Sequence, residues 1–148
     1  MSGIHEISGI INANGSHIMP NLPTFTFVFI GGALGSLLRW SLGRAVSERY
    51  TGKFPLGTFV INVTGAFLMG FLSTLMRVDW RDRFGSFFTA FILTGLLGGY
   101  TTFSSYELDT VAAYNQQERR IALLYWVGSV AAGLLAAALG WWIALQFG

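Results

Sequence analysis

The chain has 148 residues, of which 53% are apolar, 16% aromatic and only 11% charged, and it contains no cysteine. A soluble domain ordinarily carries about 25% charge, so this composition, with a mean hydropathy of +0.55, points to a membrane protein. The missing cysteines exclude a disulfide framework, a thiolate nucleophile and a zinc site built on Cys. A pI of about 9.3 would suggest a nucleic-acid partner in a soluble protein, but the nine Lys and Arg residues lie mostly between apolar segments. The expected partner is therefore the lipid bilayer, with no role for nucleic acid.

Residues 1–19, "MSGIHEISGIINANGSHIM", differ in character from the rest, and "GSHIM" resembles an expression-tag remnant ahead of a native start at Met19. His5 and His17 belong to this tail and are set aside. From there, four charge-poor windows reach the roughly 20 apolar residues that a bilayer span requires: 24–42, 56–76, 84–113 and 121–145. Residues 20–148 thus read as one all-α, four-span membrane domain, with the first span retained rather than cleaved.

The first window, "TFTFVFIGGALGSLLRWSL", holds Gly31 and Gly35 one helical turn apart, a spacing that lets two membrane helices approach closely. Arg39 is costly at that depth unless paired, hydrated or snorkelling. It reads either as an interfacial anchor or as a charge shaping a water-filled entrance. The second window, "LGTFVINVTGAFLMGFLSTLM", places Asn62 near its middle among the small residues Gly57, Thr58, Gly65, Ala66 and Gly70. A buried amide must find a partner, so Asn62 is either glue between helices or a donor lining an ion path.

The third window contains "GLLGGYTTFSSY", residues 95–106, where Gly98 and Gly99 precede the hydroxyl residues Thr101, Thr102, Ser104 and Ser105. Such a stretch is expected to break the helix. Irregular backbone is tolerated in a membrane only when buried in protein or lining a polar cavity, and the carbonyls it releases suit cations while half-helix ends and hydroxyls suit anions. In the fourth window Tyr125 and Ser129 share a face, Gly133 follows one turn later, and Trp141 and Trp142 fit the interfacial aromatic belt.

Four spans put Arg77, Arg81 and Arg83 on one side and Arg44, Arg49, Lys53, Arg119 and Arg120 on the other. Three against five is a weak bias for the rule that sets orientation. A chain this balanced is able to insert both ways, and four short helices are too few to enclose a pore alone, so an antiparallel dual-topology dimer is expected. No nucleotide-binding loop, HExxH or nucleophile with a base occurs. Glu107 and Asp109 lie two apart, on different faces of a helix, so nothing here builds an enzyme.

The blocks "GGALGSLLRW", "GTFVINVTGAFLMG" and above all "GGYTTFSSY" resemble the Fluc family of fluoride channels, also called CrcB proteins. The resemblance runs from Phe29 to the C-terminus, with the blocks in family order. It implies a four-span subunit in the bacterial inner membrane, a homodimer of oppositely oriented copies, a structural sodium ion at the dimer centre, and two pores passing fluoride passively out of the cell. By resemblance, the backbone carbonyls of Gly98 and Thr101 hold the sodium, and Asn62 lines the pore. Phe103 is the first of a pair of rings, with Ser104 and Ser105 between them, Tyr125 and Ser129 begin a polar track, and Arg39 is the family's basic residue of span 1. The chain departs from the pattern with Tyr106 in place of the second Phe, Gly133 in place of a hydroxyl, and Asp109 in place of Glu.

Fluoride is small and strongly hydrated, so its path must replace water with donors such as the Asn62 amide, Ser and Tyr hydroxyls and ring edges. Two rivals remain at this stage. A small multidrug-type proton-coupled transporter also uses four spans and dual topology, but needs a titratable carboxylate in its first span, where this chain has none. A membrane scaffold would have no use for the hydroxyl-rich break.

Overall fold

The computed structural model describes residues 22–78 and 87–147. The tail of residues 1–19, with His5 and His17, and the basic residues Arg81 and Arg83 lie outside the described residues. Everything described is helix or short connection: α1 (Leu22–Arg49), α2 (Leu56–Leu75), a π-helical segment (Thr89–Leu97) that continues into α3 (Gly98–Tyr100), then α4 (Phe103–Asn115) and α5 (Arg119–Ala144). Three of these, α1, α2 and α5, are long and apolar enough to cross a membrane. The third expected span is divided into shorter pieces.

The helices reach further than the apolar windows suggest. Arg44 and Arg49 sit in the last turns of α1, and Arg119 and Arg120 open α5, so these four basic residues belong to helix ends and not to connections. Long basic side chains extend a helix without cost once their charges reach water. Pro55 immediately precedes α2, a place where its missing N–H is not needed.

Two close packings hold the bundle. Along α1, a Cβ on Gly35 would strike the Leu96 carbonyl and lie 2.8 Å from the Tyr100 amide nitrogen, while a Cβ on Gly99 would strike the Gly32 carbonyl. The glycines expected to let helices touch thus interlock with glycines of the third segment, backbone against backbone. On the other side α2 lies along α5, where Gly140 passes beneath the Phe67 carbonyl. Gly31 meets Gly95 and Gly35 meets Tyr100, while Phe54 meets Tyr125 and Phe71 meets Phe147, so α1 runs parallel to the third segment and α2 to α5. The 50–55 and 116–118 connections consequently share one end of the bundle.

The third segment breaks later than its glycines. Gly98 is helical, with φ −64° and ψ −38°. Thr101 and Thr102 are the extended residues, with φ −75°, ψ 160° and φ −151°, ψ 125°. Thr102 then caps the restart, its Oγ1 accepting the Ser105 N–H at 3.2 Å, the usual device for starting a helix. The π-helical winding before the break has no signature in the sequence pattern. Such winding is rare and occurs frequently at functional sites.

Candidate functional site

The break is clamped from two helices. On α2, the Asn62 amide nitrogen donates to the Thr102 carbonyl at 2.9 Å, and the Thr102 N–H donates to Asn62 Oδ1 at 2.9 Å. In an unbroken helix that N–H would have bonded to the Gly98 carbonyl, so Asn62 takes the place of the interrupted helical bond. On α1, Arg39 Nη1 donates to the Thr101 carbonyl at 3.2 Å, and Ser36 Oγ approaches the Gly99 carbonyl at 3.5 Å. Backbone groups released in a membrane must be satisfied by protein, and these side chains do so.

Two recesses meet at this clamp. The first is a basin of about 770 Å³ between α1, α2 and α4, floored by Arg39, Thr102, Ser104, Ser105 and Asp109 and rimmed by Arg44, Lys53 and Tyr50. At the rim, Arg44 pairs with Glu48 at 2.7 Å and Lys53 pairs with Glu118. Arg39 makes no ion pair among the described residues. It stands at the depth of the break and shares the basin with the Asp109 carboxylate.

The second recess is an apolar groove of about 390 Å³ lined by Asn62, Gly65, Ala66, Met69, Phe103, Tyr106, Ser129 and both Thr101 and Thr102. Ser129 is 8% exposed, and its Oγ has no hydrogen-bond partner among the described residues. A buried hydroxyl without a partner costs about 1–3 kcal/mol, and this one stands in the groove wall. Asn62 adds to this, because only one of its two N–H donors is needed for the Thr102 carbonyl.

A column of rings separates the groove from the basin. Phe103, Tyr106, Tyr125 and Phe54 follow one another with centroids 5.7, 5.5 and 5.4 Å apart. Tyr125 is fully buried at 0% exposure, its hydroxyl 3.4 Å from Asp109 Oδ2, and Thr58 Oγ1 donates to the same oxygen at 2.6 Å. The Tyr106 hydroxyl donates to the Trp126 carbonyl of α5 at 2.7 Å. At the groove end of the column Phe103 is 74% exposed.

The expected site residues therefore fall into three places. Asn62, Phe103, Tyr106 and Ser129 line the groove together, Ser104, Ser105 and Arg39 line the basin, and Tyr125 stands between. Thr102 faces both recesses. The two roles considered for Asn62 are not exclusive: its glue function is visible, and a spare donor remains. Arg39 lines the basin and bonds to the Thr101 carbonyl. Gly98 and Thr101 bring carbonyls to the break, with a hypothetical Cβ on Gly98 meeting nothing within 4 Å. Sequence reasoning missed Ser36, Thr58 and the Trp126 carbonyl. Thr58 was visible only as a small residue; its spacing from Asp109, 51 positions on, is set by the fold.

A family model described as CrcB-like protein, Camphor Resistance (CrcB), matches residues 26–141. The chain is 53% identical over 118 residues, 80% of its length and 94% of the relative's, to Fluoride-specific ion channel FluC 2 of Yersinia pseudotuberculosis. It is 54% identical over 114 residues to Fluoride-specific ion channel FluC 2 of Brucella abortus, covering 77% and 88% of the two chains. A more distant relative, Fluoride-specific ion channel FluC of Helicobacter pylori, is 39% identical over 125 residues, 83% of this chain and 94% of that one.

Proposed function

The chain belongs to the CrcB family, and from that premise we propose that it is a fluoride-selective channel lowering cytoplasmic fluoride by passive efflux, with the basin and the groove as successive parts of its ion path. Membership in a channel family makes it a transport protein and not an enzyme. The observation that carries the reading is the buried, unpartnered Ser129 hydroxyl beside the spare Asn62 donor. A dehydrated anion accepts from both, and neither binds it as tightly as an ammonium would.

The path follows from the charges. Arg39 draws anions to the basin floor, where Ser104 and Ser105 offer hydroxyls in place of water, the Thr102 hydroxyl being donated to Ser105 Oγ at 3.1 Å. Beyond the clamp, fluoride meets the edges of Phe103 and Tyr106, which carry the positive side of the ring quadrupole. Each contact is moderate, which suits conduction: binding must suffice for dehydration and still permit release. Proton-coupled antiport finds no support, since α1 has no acidic residue before Glu48.

A single copy leaves this path open on one side, and the missing wall is a second copy. Phe103 stands 74% exposed beside interrupted backbone, in a region where broken helix needs protein cover. Among the described residues nothing lies within 4 Å of where a Gly98 Cβ would stand, which leaves room for a partner's backbone. The weak charge asymmetry favours an antiparallel arrangement, with the segment 87–115 acting as the third of four spans in the bacterial inner membrane. In such a homodimer the Gly98 and Thr101 carbonyls of both copies converge. The donor set fits a monovalent ion: the oxygens are neutral, the Gly98 carbonyl has lost the Thr102 N–H to Asn62, and Thr101 keeps one lone pair beyond its bond to Arg39. Sodium bound there would be structural, tying the two breaks together.

Efflux of fluoride from liposomes, followed with a fluoride electrode, tests the reading through Ser129→Ala. Removing an unsatisfied buried hydroxyl leaves stability unchanged or raised, so thermal unfolding should not fall. Fluoride efflux should drop roughly tenfold, the effect of about 1.4 kcal/mol. Wild-type efflux from the variant would remove the groove from the path, and no fluoride efflux from the unaltered protein would overturn the function itself.

A further inference from the structure

One helical turn beyond the second recess, with Thr110 following Tyr106 and Trp126 preceding Val130 by four residues, α4 and α5 leave a groove of about 310 Å³ whose walls include Val111, Leu123 and Trp126. All three are half exposed or more, so the groove opens sideways toward the surrounding hydrocarbon. Its upper end is closed by Arg119, whose guanidinium lies 5.4 Å above the Tyr114 ring. The neighbouring Glu118 does not neutralise it, because that carboxylate is taken by Lys53, and Arg119 makes no ion pair among the described residues. An apolar slot in the membrane thus ends in a fixed, uncompensated cation at the end of the bundle.

We propose that this groove is a binding site for an anionic phospholipid, the headgroup phosphate on Arg119 and an acyl chain lying between α4 and α5 along Leu123 and Trp126. The charge pattern selects this occupant. Arg44, Arg49, Lys53, Arg119 and Arg120 all lie at this end of the bundle, against Glu48 and Glu118. An anionic headgroup complements the end, and stacking on Tyr114 holds the guanidinium in place to receive it. The site does not rest on the fluoride reading.

Native mass spectrometry of the full chain, in mixed micelles of phosphatidylglycerol and phosphatidylcholine at equal concentration, tests the proposal. The unaltered protein should retain phosphatidylglycerol about fivefold over phosphatidylcholine, the preference that one basic residue confers. Arg119→Gln should abolish the preference and Arg119→Lys should keep most of it. Leu123→Trp, which fills the groove, should lower retention of both lipids. Equal retention of the two lipids by the unaltered protein, or a preference that survives Arg119→Gln, would overturn the site. So would undiminished retention in Leu123→Trp, displacement of the lipid by millimolar inorganic phosphate, or conversion of the oligomer to monomer by Arg119→Gln, which would mark the face as a contact between copies.

Discussion

Asn62 and Thr102 are joined by two hydrogen bonds of 2.9 Å, one in each direction, so that a side-chain amide of α2 completes the backbone of a broken helix. Replacing Asn62 with Asp keeps the acceptor for the Thr102 N–H but sets a carboxylate oxygen against the Thr102 carbonyl. That loss should cost about 1–3 kcal/mol of stability. The ionised group also repels fluoride in a low-dielectric passage. Asn62→Asp should therefore unfold at lower temperature and pass at least roughly tenfold less fluoride, the equivalent of about 1.4 kcal/mol. A folded variant with near wild-type efflux would leave Asn62 as glue alone.

Tyr106 carries the hydroxyl that the family's usual Phe lacks, and that hydroxyl is spent on the Trp126 carbonyl at 2.7 Å. It is a tether between α4 and α5 and not a donor to the ion. Tyr106→Phe should lower stability by about 1 kcal/mol while fluoride efflux stays within roughly twofold. A tenfold fall in efflux at unchanged stability would assign the hydroxyl to the path instead.

Gly133 follows Ser129 by one turn of α5, and a Cβ there would meet nothing within 4 Å. Gly133→Ser should fold without loss, and replacing a mid-helix glycine should add up to about 1 kcal/mol of stability. It places a hydroxyl where the family often has one, so efflux should equal or exceed that of the unaltered protein. Thermal unfolding and the electrode assay read both effects, and impaired folding would show that another chain occupies this space.

Gly35 and Gly98 provide a paired test of what lies inside one copy and what lies between two. A Cβ at Gly35 would collide with the Leu96 carbonyl, which belongs to the same chain. Gly35→Ala should destabilise the fold by about 1–3 kcal/mol, the usual cost of overpacking, whatever the oligomeric state. Gly98 has no such neighbour, so Gly98→Leu should leave a single copy intact and break only a dimer that closes over the break. Size-exclusion chromatography in detergent distinguishes these outcomes: a Gly98→Leu dimer that elutes unchanged would place the dimer contact elsewhere.

Much of this protein was legible from residue order because the membrane imposes rules that act locally. Charge-poor windows marked α1, α2 and α5, since backbone in hydrocarbon must satisfy its own hydrogen bonds. Likewise, the hydroxyl-rich run after Gly99 marked the break. Tertiary structure alone decided where that break falls and what it faces. Gly98 and Gly99 stay helical, Gly99 packed backbone to backbone on Gly32 of α1, and the chain opens at Thr101 and Thr102, where Asn62 and Arg39 are positioned to receive their polar groups. The division of one row of polar residues into a basin and a groove has the same origin. Ser104 and Ser129 belong to different recesses because α4 turns Ser104, Ser105 and Asp109 toward the basin and Phe103 and Tyr106 toward the groove, and what each face of α4 meets is set by contacts between helices distant in the chain, which no local pattern encodes.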